Sequence, residues 1–342
     1  MRYNFFLITL FFSFNITAQD GGQNAFLFVN VEHSPRVESL GGSAIAIFDN
    51  DVSLSQTTPS LLNSKMDNEL FFSFGDYFAD ISLVSFSYAV SLEKIGVLGV
   101  SLKAIDYGDF ERNDAAGYNQ GNFSVNDQVV TFGIGRSINE NFSFGMNLSL
   151  LNANYDTYRS FALSSNVSLT YLHLQSEFYS TLLVKNIARQ LYASSYYSEI
   201  LPYEIQFAVS KLLKHIPFRY HLTYNNINRF DIKSPYNLMT QTNIETGELE
   251  IKEESIAKTF LRHITIGGEL NPFRKSLFIR AGFNFQRRFD LTTTSRPAMV
   301  GFSCGIGFRL SKYYFDYSRS SYHLSAAPNN FSIATNLSNF GF

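Results

Sequence analysis

The chain has no tryptophan, one cysteine (Cys304) and little charge: Asp, Glu, Lys and Arg make up only 16% of its 342 residues, against about 25% in an ordinary soluble domain. A lone cysteine excludes an internal disulfide framework and any multi-cysteine zinc or iron–sulfur site. Lys and Arg number 27 against 29 Asp and Glu, a net charge of −2, so the basic excess of a nucleic-acid binder is missing. The body of the chain also lacks an uncharged apolar run long enough for a membrane helix. Its best stretch, 81–102, is interrupted by Glu93-Lys94. Aromatic residues, in contrast, are abundant: 35 Phe and 20 Tyr, a composition that excludes disorder.

The first nineteen residues read as an address. Arg2 opens them, Phe5 to Phe14 is almost wholly apolar, and Ile16-Thr17-Ala18-Gln19 offers small residues for a signal peptidase. Residues 1–19 are therefore expected to be a signal peptide, with no cysteine near the cut to carry a lipid anchor.

From there, period-two alternation dominates. Phe142, Phe144, Met146, Leu148 and Leu150 alternate with Ser143, Gly145, Asn147 and Ser149. The same pattern holds from Tyr203 to Ser210, Phe218 to Asn225, Leu277 to Gln286 and Val300 to Leu310. Such runs are long enough for a tilted strand to cross a bilayer. A soluble sandwich also alternates, but its strands are usually shorter, about 5–6 residues, and its outer faces carry many charges. Here the polar faces are mostly Ser, Gly, Asn, Thr and Gln, which suits a crowded bore.

The fold expected is all-β: a fourteen-stranded antiparallel transmembrane β-barrel. Strands are expected near 68–77, 81–92, 95–106, 126–136, 141–153, 160–171, 175–184, 202–212, 217–226, 260–270, 276–286, 299–310, 312–318 and 330–342. Six connections are short, at 93–94, 137–140, 172–174, 213–216, 271–275 and 311–312. The set between them includes long ones at 107–125, 185–201, 227–259, 287–299 and 319–329; the 78–80 connection, which is short, breaks that rule. Short periplasmic turns and long outer loops are the outer-membrane arrangement, and that reading puts both termini in the periplasm. Phe340-Gly341-Phe342 ends the chain as the terminal signal of an outer-membrane barrel would.

Residues 20–67 do not alternate and are expected to form a hatch that fills the lumen, ahead of a barrel over 68–342. Within the hatch, Asp49-Asn50-Asp51 lacks the spacing of a calcium loop. These acids are expected to pair with lumen Arg or Lys, or to cap a short helix beginning near Ser53.

The stretch Arg36 to Asp51 with Pro59-Ser60-Leu61-Leu62-Asn63 resembles the N-terminal region of the PorV/PorQ family of Bacteroidetes outer-membrane proteins, itself similar to the FadL-like fatty-acid transporters. The PorQ branch is favoured by Tyr77-Phe78-Ala79-Asp80-Ile81, Tyr107-Gly108-Asp109-Phe110 with Arg112 and Asp114, Val184-Lys185-Asn186-Ile187, Leu201-Pro202-Tyr203-Glu204, and Asn330-Phe331-Ser332-Ile333. Thr57-Thr58 and Ala188 depart from the family pattern. The resemblance implies a non-enzymatic component of the type IX protein secretion system. It would hold a PorZ-like surface protein, beside a PorU-like sortase and a PorV-like barrel, in the complex that processes and attaches cargo. The alternative it implies is a FadL-like passive transporter of hydrophobic molecules. That carrier would need an apolar pocket reached from the outer loops, and a hatch packed tightly against Arg280, Glu204 and Gln206 would count against it.

No catalytic, cofactor or metal-binding set stands out. Gly301-Phe302-Ser303-Cys304-Gly305 matches a nucleophile-elbow pattern, but that elbow needs a strand-to-helix turn and this one falls mid-strand. Cys304, expected on the lipid face, reads as a small hydrophobe. The histidines at 33, 173, 215, 221, 263 and 323 show no metal-binding spacing. His323, beside Tyr322, reads as a structural hydrogen-bonding residue. The polar stretch 227–259, with Glu245, Glu248, Glu250, Glu253 and Glu254, is either a solvated hairpin or a docking surface for a partner.

Overall fold

A computed structural model describes residues 26–79, 81–194, 201–233, 240–242, 249–251, 254–273, 276–292, 299–322 and 327–341. The expected signal peptide, His323 and Phe342 lie outside the described residues.

Fourteen strands close into an antiparallel barrel. They are β1 (Glu69–Asp76), β2 (Ser82–Leu92), β3 (Gly96–Asn113), β4 (Asn119–Ser137) and β5 (Phe142–Tyr155). Next come β6 (Tyr158–His173), β7 (Phe178–Ala193), β8 (Glu204–Leu212) and β9 (Phe218–Tyr224). A separate hairpin, β10 (Thr240–Thr242) with β11 (Leu249–Ile251), stands in the loop after β9. The barrel resumes with β12 (Ile264–Leu270), β13 (Leu277–Asn284), β14 (Phe302–Leu310), β15 (Tyr313–Ser320) and β16 (Asn329–Asn336). Neighbours in sequence pair throughout, β9 with β12, and β16 returns to β1 with Glu69 opposite Asn336. Closure leaves no unpaired edge in lipid, which is what a spanning sheet requires.

The alternation sorts the two faces as the sequence implies. On β5, Phe144 is 43% exposed on the outer face while Asn147 is 1% exposed toward the bore. Phe132, Leu182, Phe207, Leu222, Ile279, Ile306 and Phe331 continue the outer apolar surface around the barrel. Substituting Phe144→Arg is expected to cost about 2–4 kcal/mol near mid-bilayer, and Asn154→Arg, on the outer face above the apolar run, close to nothing. Urea unfolding from lipid vesicles reads the difference, and equal costs would contradict this inside–outside assignment.

The turns sort by end. Residues 93–95, 138–141, 174–177, 213–217, 271–273, 276 and 311–312 lie at one end, the turn end; the described parts of the remaining connections lie at the other, the loop end. Several strands run further toward the loop end than expected. Most of 107–125 is strand, because β3 and β4 pair up to Asn113 and Asn119. Strands β5 and β6 meet across a two-residue turn in which Asp156 takes φ 55°, the left-handed conformation that Asp tolerates in a tight hairpin. Strand β16 stops at Asn336, and a short 3₁₀ turn, Leu337–Phe340, follows. Two short helices replace parts of expected loops and strands: α2 (Ile256–Arg262) leads into β12, and α3 (Phe285–Asp290) follows β13.

Candidate functional site: the plugged bore

The described hatch, 26–67, threads the lumen from the loop end to the turn end. Phe26 and Phe28 pack with Leu83, Ile105, Val129, Leu151 and Leu201 in the upper bore. The first described residue thus lies in the loop-end half, although the chain enters β1 from the turn end. Ser34 then caps α1 (Pro35–Ser39), with proline at the first helical position, where its missing N–H costs nothing. Further down, Val37, Leu40, Ile47 and Phe48 pack on Leu172 and Tyr179. Finally Val52, Leu62 and Met66 meet Phe71, Ala89 and Val97 near the turn end.

Two opposite walls accommodate the hatch by omitting side chains. On β13, a Cβ at Gly282 would overlap the backbone of Leu40 and Gly41; on β5, a Cβ at Gly145 would overlap the backbone of Pro59 and Ser60. Hydroxyls on the wall satisfy the hatch backbone between these points. Ser210 Oγ donates to Ala46 O at 2.5 Å, Thr223 Oγ1 to Ser43 O at 2.7 Å, Ser143 Oγ to Ser60 O at 2.7 Å and Ser303 Oγ to Ser39 O at 3.1 Å. The small polar residues of the inner faces are therefore the hatch's hydrogen-bond partners, which is what buried backbone groups require.

At the centre lies an ion network. Arg36 donates to Asp49 (2.7 Å), Asp51 (3.1 Å) and Glu269 (3.1 Å). Arg280, fully buried, donates to Glu269 at 2.7 Å, to Tyr314 Oη at 2.7 Å and to Asp316. Arg219 reaches Asp49 at 3.4 Å. Three guanidinium groups and four carboxylates thus link the hatch to β9, β12, β13 and β15. Burial would push the Asp49 carboxyl up, but Arg36 and Arg219 outweigh it and hold it below the ordinary range. Asp51 also caps the 3₁₀ turn Val52–Gln56, accepting from Ser53 N at 3.0 Å. The expected pairing and capping of these acids are both present. Sequence reasoning did not identify Glu269, Arg219 or Asp316 as members of this network, although each is a charge on the polar face of a strand.

A second tie joins the hatch to the loop end. Arg287 of α3 donates to Glu38 of α1 at 2.7 Å, and its guanidinium lies 4.2 Å from the centre of the Tyr322 ring.

Beside the hatch, among the described residues, there is a small cavity of mixed lining. One cavity of about 60 Å³ lies between the hatch and β3–β8, lined by Glu32, Gln56, Lys103, Asn166, Lys185 and Gln206 among others. Lys185 pairs with Glu204 at 3.0 Å, and Gln206 donates to Glu204 at 2.7 Å. This is room for a few waters, not for a hydrocarbon. Arg280 and Gln206 are both buried against the hatch and its cavity.

His33, buried beside Glu32, bonds through Nδ1 with Val31 O at 2.9 Å. Burial and then Lys103 push its imidazole from 6.5 down to about 3, so the ring is neutral in the folded protein. Unfolding frees it to take a proton, so its contribution to stability is complete above about pH 6.5 and is lost as pH falls toward about 3. Protease protection of the hatch is expected to fall over this window, with a shallower slope in His33→Gln.

The other sequence candidates fall where their chemistry is ordinary. Cys304 faces outward and Ser303 inward within β14. Among the described histidines, His221 Nε2 bonds Thr223 Oγ1 at 2.8 Å and His263 stacks on Tyr224 with ring centres 5.0 Å apart. Among the described residues, no three His, Cys, Asp or Glu form a metal-holding group. Of the acidic stretch 227–259, Glu254 is described, and Lys258 and Arg262 hold its carboxyl down to about 2 against the effect of burial.

No family model matches the chain, and no curated protein does. Similar solved structures include a Pseudomonas aeruginosa FadL homologue, at 9% identity and TM-score 0.49, the match covering 89% of this chain and 98% of that one. Another is the Pseudomonas putida toluene transporter TodX, at 10% identity and TM-score 0.46, with 87% and 95% covered. With its apolar exterior, polar inner faces and filled lumen, this chain is a fourteen-stranded antiparallel transmembrane β-barrel whose N-terminal segment occupies the bore.

Proposed function

We propose that this barrel is a sealed anchor rather than a conduit: a non-enzymatic outer-membrane component of type IX secretion, of the PorQ kind, that holds a PorZ-like surface protein beside a PorU-like sortase and a PorV-like barrel. The observation that carries this reading is the bore itself, spanned among the described residues by the Arg36–Glu269–Arg280 network, with a cavity of about 60 Å³ beside the hatch. A protein that neither conducts nor catalyses acts through what it displays. The loop end offers a surface for display. Pairing of β2 with β3 ends at Asp106, and that of β8 with β7 ends at Lys185. Beyond these levels β3–β7 continue as a sheet of their own, carrying the exposed Phe110, Tyr118, Leu191 and Tyr192. In this reading the loop end faces outward and the turn end the periplasm.

The test is gentle solubilisation of native membranes followed by capture of the tagged barrel. A stoichiometric surface partner, and a cargo-attachment defect in a deletion strain, are expected. Recovery of the barrel alone, with normal attachment, would overturn the proposal. Passive transport of hydrophobic molecules is the second reading, and the apolar cluster of Phe26 and Phe28 favours it, since withdrawal of those rings would open an apolar space toward the loops. Uptake of a hydrophobic probe into vesicles carrying the purified barrel would favour transport over anchoring.

A further inference from the structure

The barrel is not equally tall around its circumference. Strand β9 has seven residues and β12 seven. At about 3.3 Å per residue and a tilt of about 40°, seven residues cover roughly 18 Å, short of the ~25 Å apolar band of an outer-membrane barrel. On β5, by contrast, the outward apolar run alone spans Phe142 to Leu150. Something other than strand must meet the lipid above β9 and β12.

Helix α2 stands at that place and is built inside out. Its exposed face is apolar: Ile256 is 77% exposed and Phe260 46%, with Ala257 beside them. Its buried residues are Thr259 and Arg262, with Lys258 half-buried. A helix over an aqueous loop region shows the reverse, charges outward and apolar residues inward. The charges of α2 are also all engaged. Arg262 donates to Glu254 at 2.9 and 3.0 Å and to Asp290, and Lys258 pairs with Glu254 at 2.6 Å. Both cations lie over the Phe289 ring of α3, at 5.0 and 5.4 Å from its centre.

The exposed apolar surface is continuous with the lipid-facing wall. Phe260 packs on Tyr224 of β9, ring centres 5.5 Å apart. On the neighbouring strands the outward rings of Phe302 and Phe283 meet at a tilt with centres 4.6 Å apart, and Phe283 meets Phe285, the first residue of α3, at 4.7 Å. We propose that α2 and the first turn of α3 are embedded in the bilayer at the loop end, where Ile256, Ala257, Phe260 and Phe285 contact acyl chains and complete the apolar belt that β9, β12 and β13 are too short to supply. The occupant of this surface is lipid, since the surface extends one already in lipid.

The absence of tryptophan makes the test direct, because one introduced tryptophan is the only indole signal. Phe260→Trp, Ile256→Trp and Ala257→Trp are each reconstituted into vesicles of brominated phosphatidylcholine, with Leu222→Trp on β9 as the membrane reference and Tyr118→Trp as the aqueous one. The α2 positions are expected to lose as much fluorescence as Leu222→Trp, while Tyr118→Trp keeps its intensity. If Leu222→Trp is quenched but the α2 tryptophans are as bright as Tyr118→Trp, the helix lies in water or against a protein and the proposal fails. Three positions guard against one variant that does not fold, and heat-modifiable gel mobility reports folding independently. The result bears on the helix alone and leaves the anchoring proposal untouched.

Discussion

Replacing Arg36 with methionine is expected to turn a silent barrel into a leaky one. The guanidinium meets Asp49, Asp51 and Glu269 together, and its side chain is buried. Methionine keeps much of the volume but strands Asp51 and removes one of two cations from Asp49 and from Glu269, with Arg219 and Arg280 left to serve four acids. Breaking a buried ionic network by removing one partner costs about 3–5 kcal/mol, because a charge is left uncompensated. That is a large share of the ~5–15 kcal/mol by which a folded domain exceeds its unfolded state. The cost is concentrated on the hatch, since the barrel wall has its own hydrogen-bonded ladder. The expected outcome is therefore a folded barrel whose hatch is displaced, and in planar bilayers wild type stays closed while Arg36→Met opens. Arg36→Lys should lie between them, keeping the charge but losing the planar fork that serves several acids at once. If Arg36→Met stays as silent and as protease-resistant as wild type, the network is not what holds the hatch.

The parts of this architecture that could be read from sequence are those where lipid lies on one side and the hatch on the other. Phe142 to Leu150 alternates because every second residue meets hydrocarbon, and its faces are assigned correctly down to single residues. Toward the loop end both faces of a strand are wet, and the signal vanishes. Residues 109–113, with Asp109, Glu111 and Arg112, read as loop yet pair as strand with 119–124, because backbone hydrogen bonds hold them without help from a buried face. Helices α2 and α3 are missed for a related reason. At six or seven residues they are too short for a helical period to emerge, and the apolar Ile256 and Phe260 face outward. In the hatch, Asp49 and Asp51 declare a need for cations, and Arg36 is close by in sequence, but Arg219 on β9, 170 residues beyond Asp49, is brought to it only by barrel closure.

Glycine positions on the inner wall supply the sharpest steric prediction. Gly145→Ala and Gly282→Ala each add one methyl group, but at both places the new Cβ would fall within the van der Waals radius of hatch backbone: Pro59 and Ser60 in one case, Leu40 and Gly41 in the other. A flexible side chain could turn away; a backbone seated by hydroxyls on both sides cannot move without losing those bonds. Overpacking of this kind costs about 1–3 kcal/mol, more when backbone must shift. Because the two glycines lie on opposite walls, the double variant should push the hatch from both sides at once, with an effect at least the sum of the single ones. Gly133→Ala is the control: its Cβ would lie 3.4 Å from Leu62 Cδ1, an ordinary contact with a side chain. Limited trypsin digestion of the folded barrels reads the result, since Arg36 and Lys65 lie in the hatch. Cleavage there is expected in Gly145→Ala and Gly282→Ala and absent in Gly133→Ala. Equal resistance in all three would mean that the hatch is not seated on those walls, and the sealed bore on which the proposed anchoring role depends would lose its structural basis.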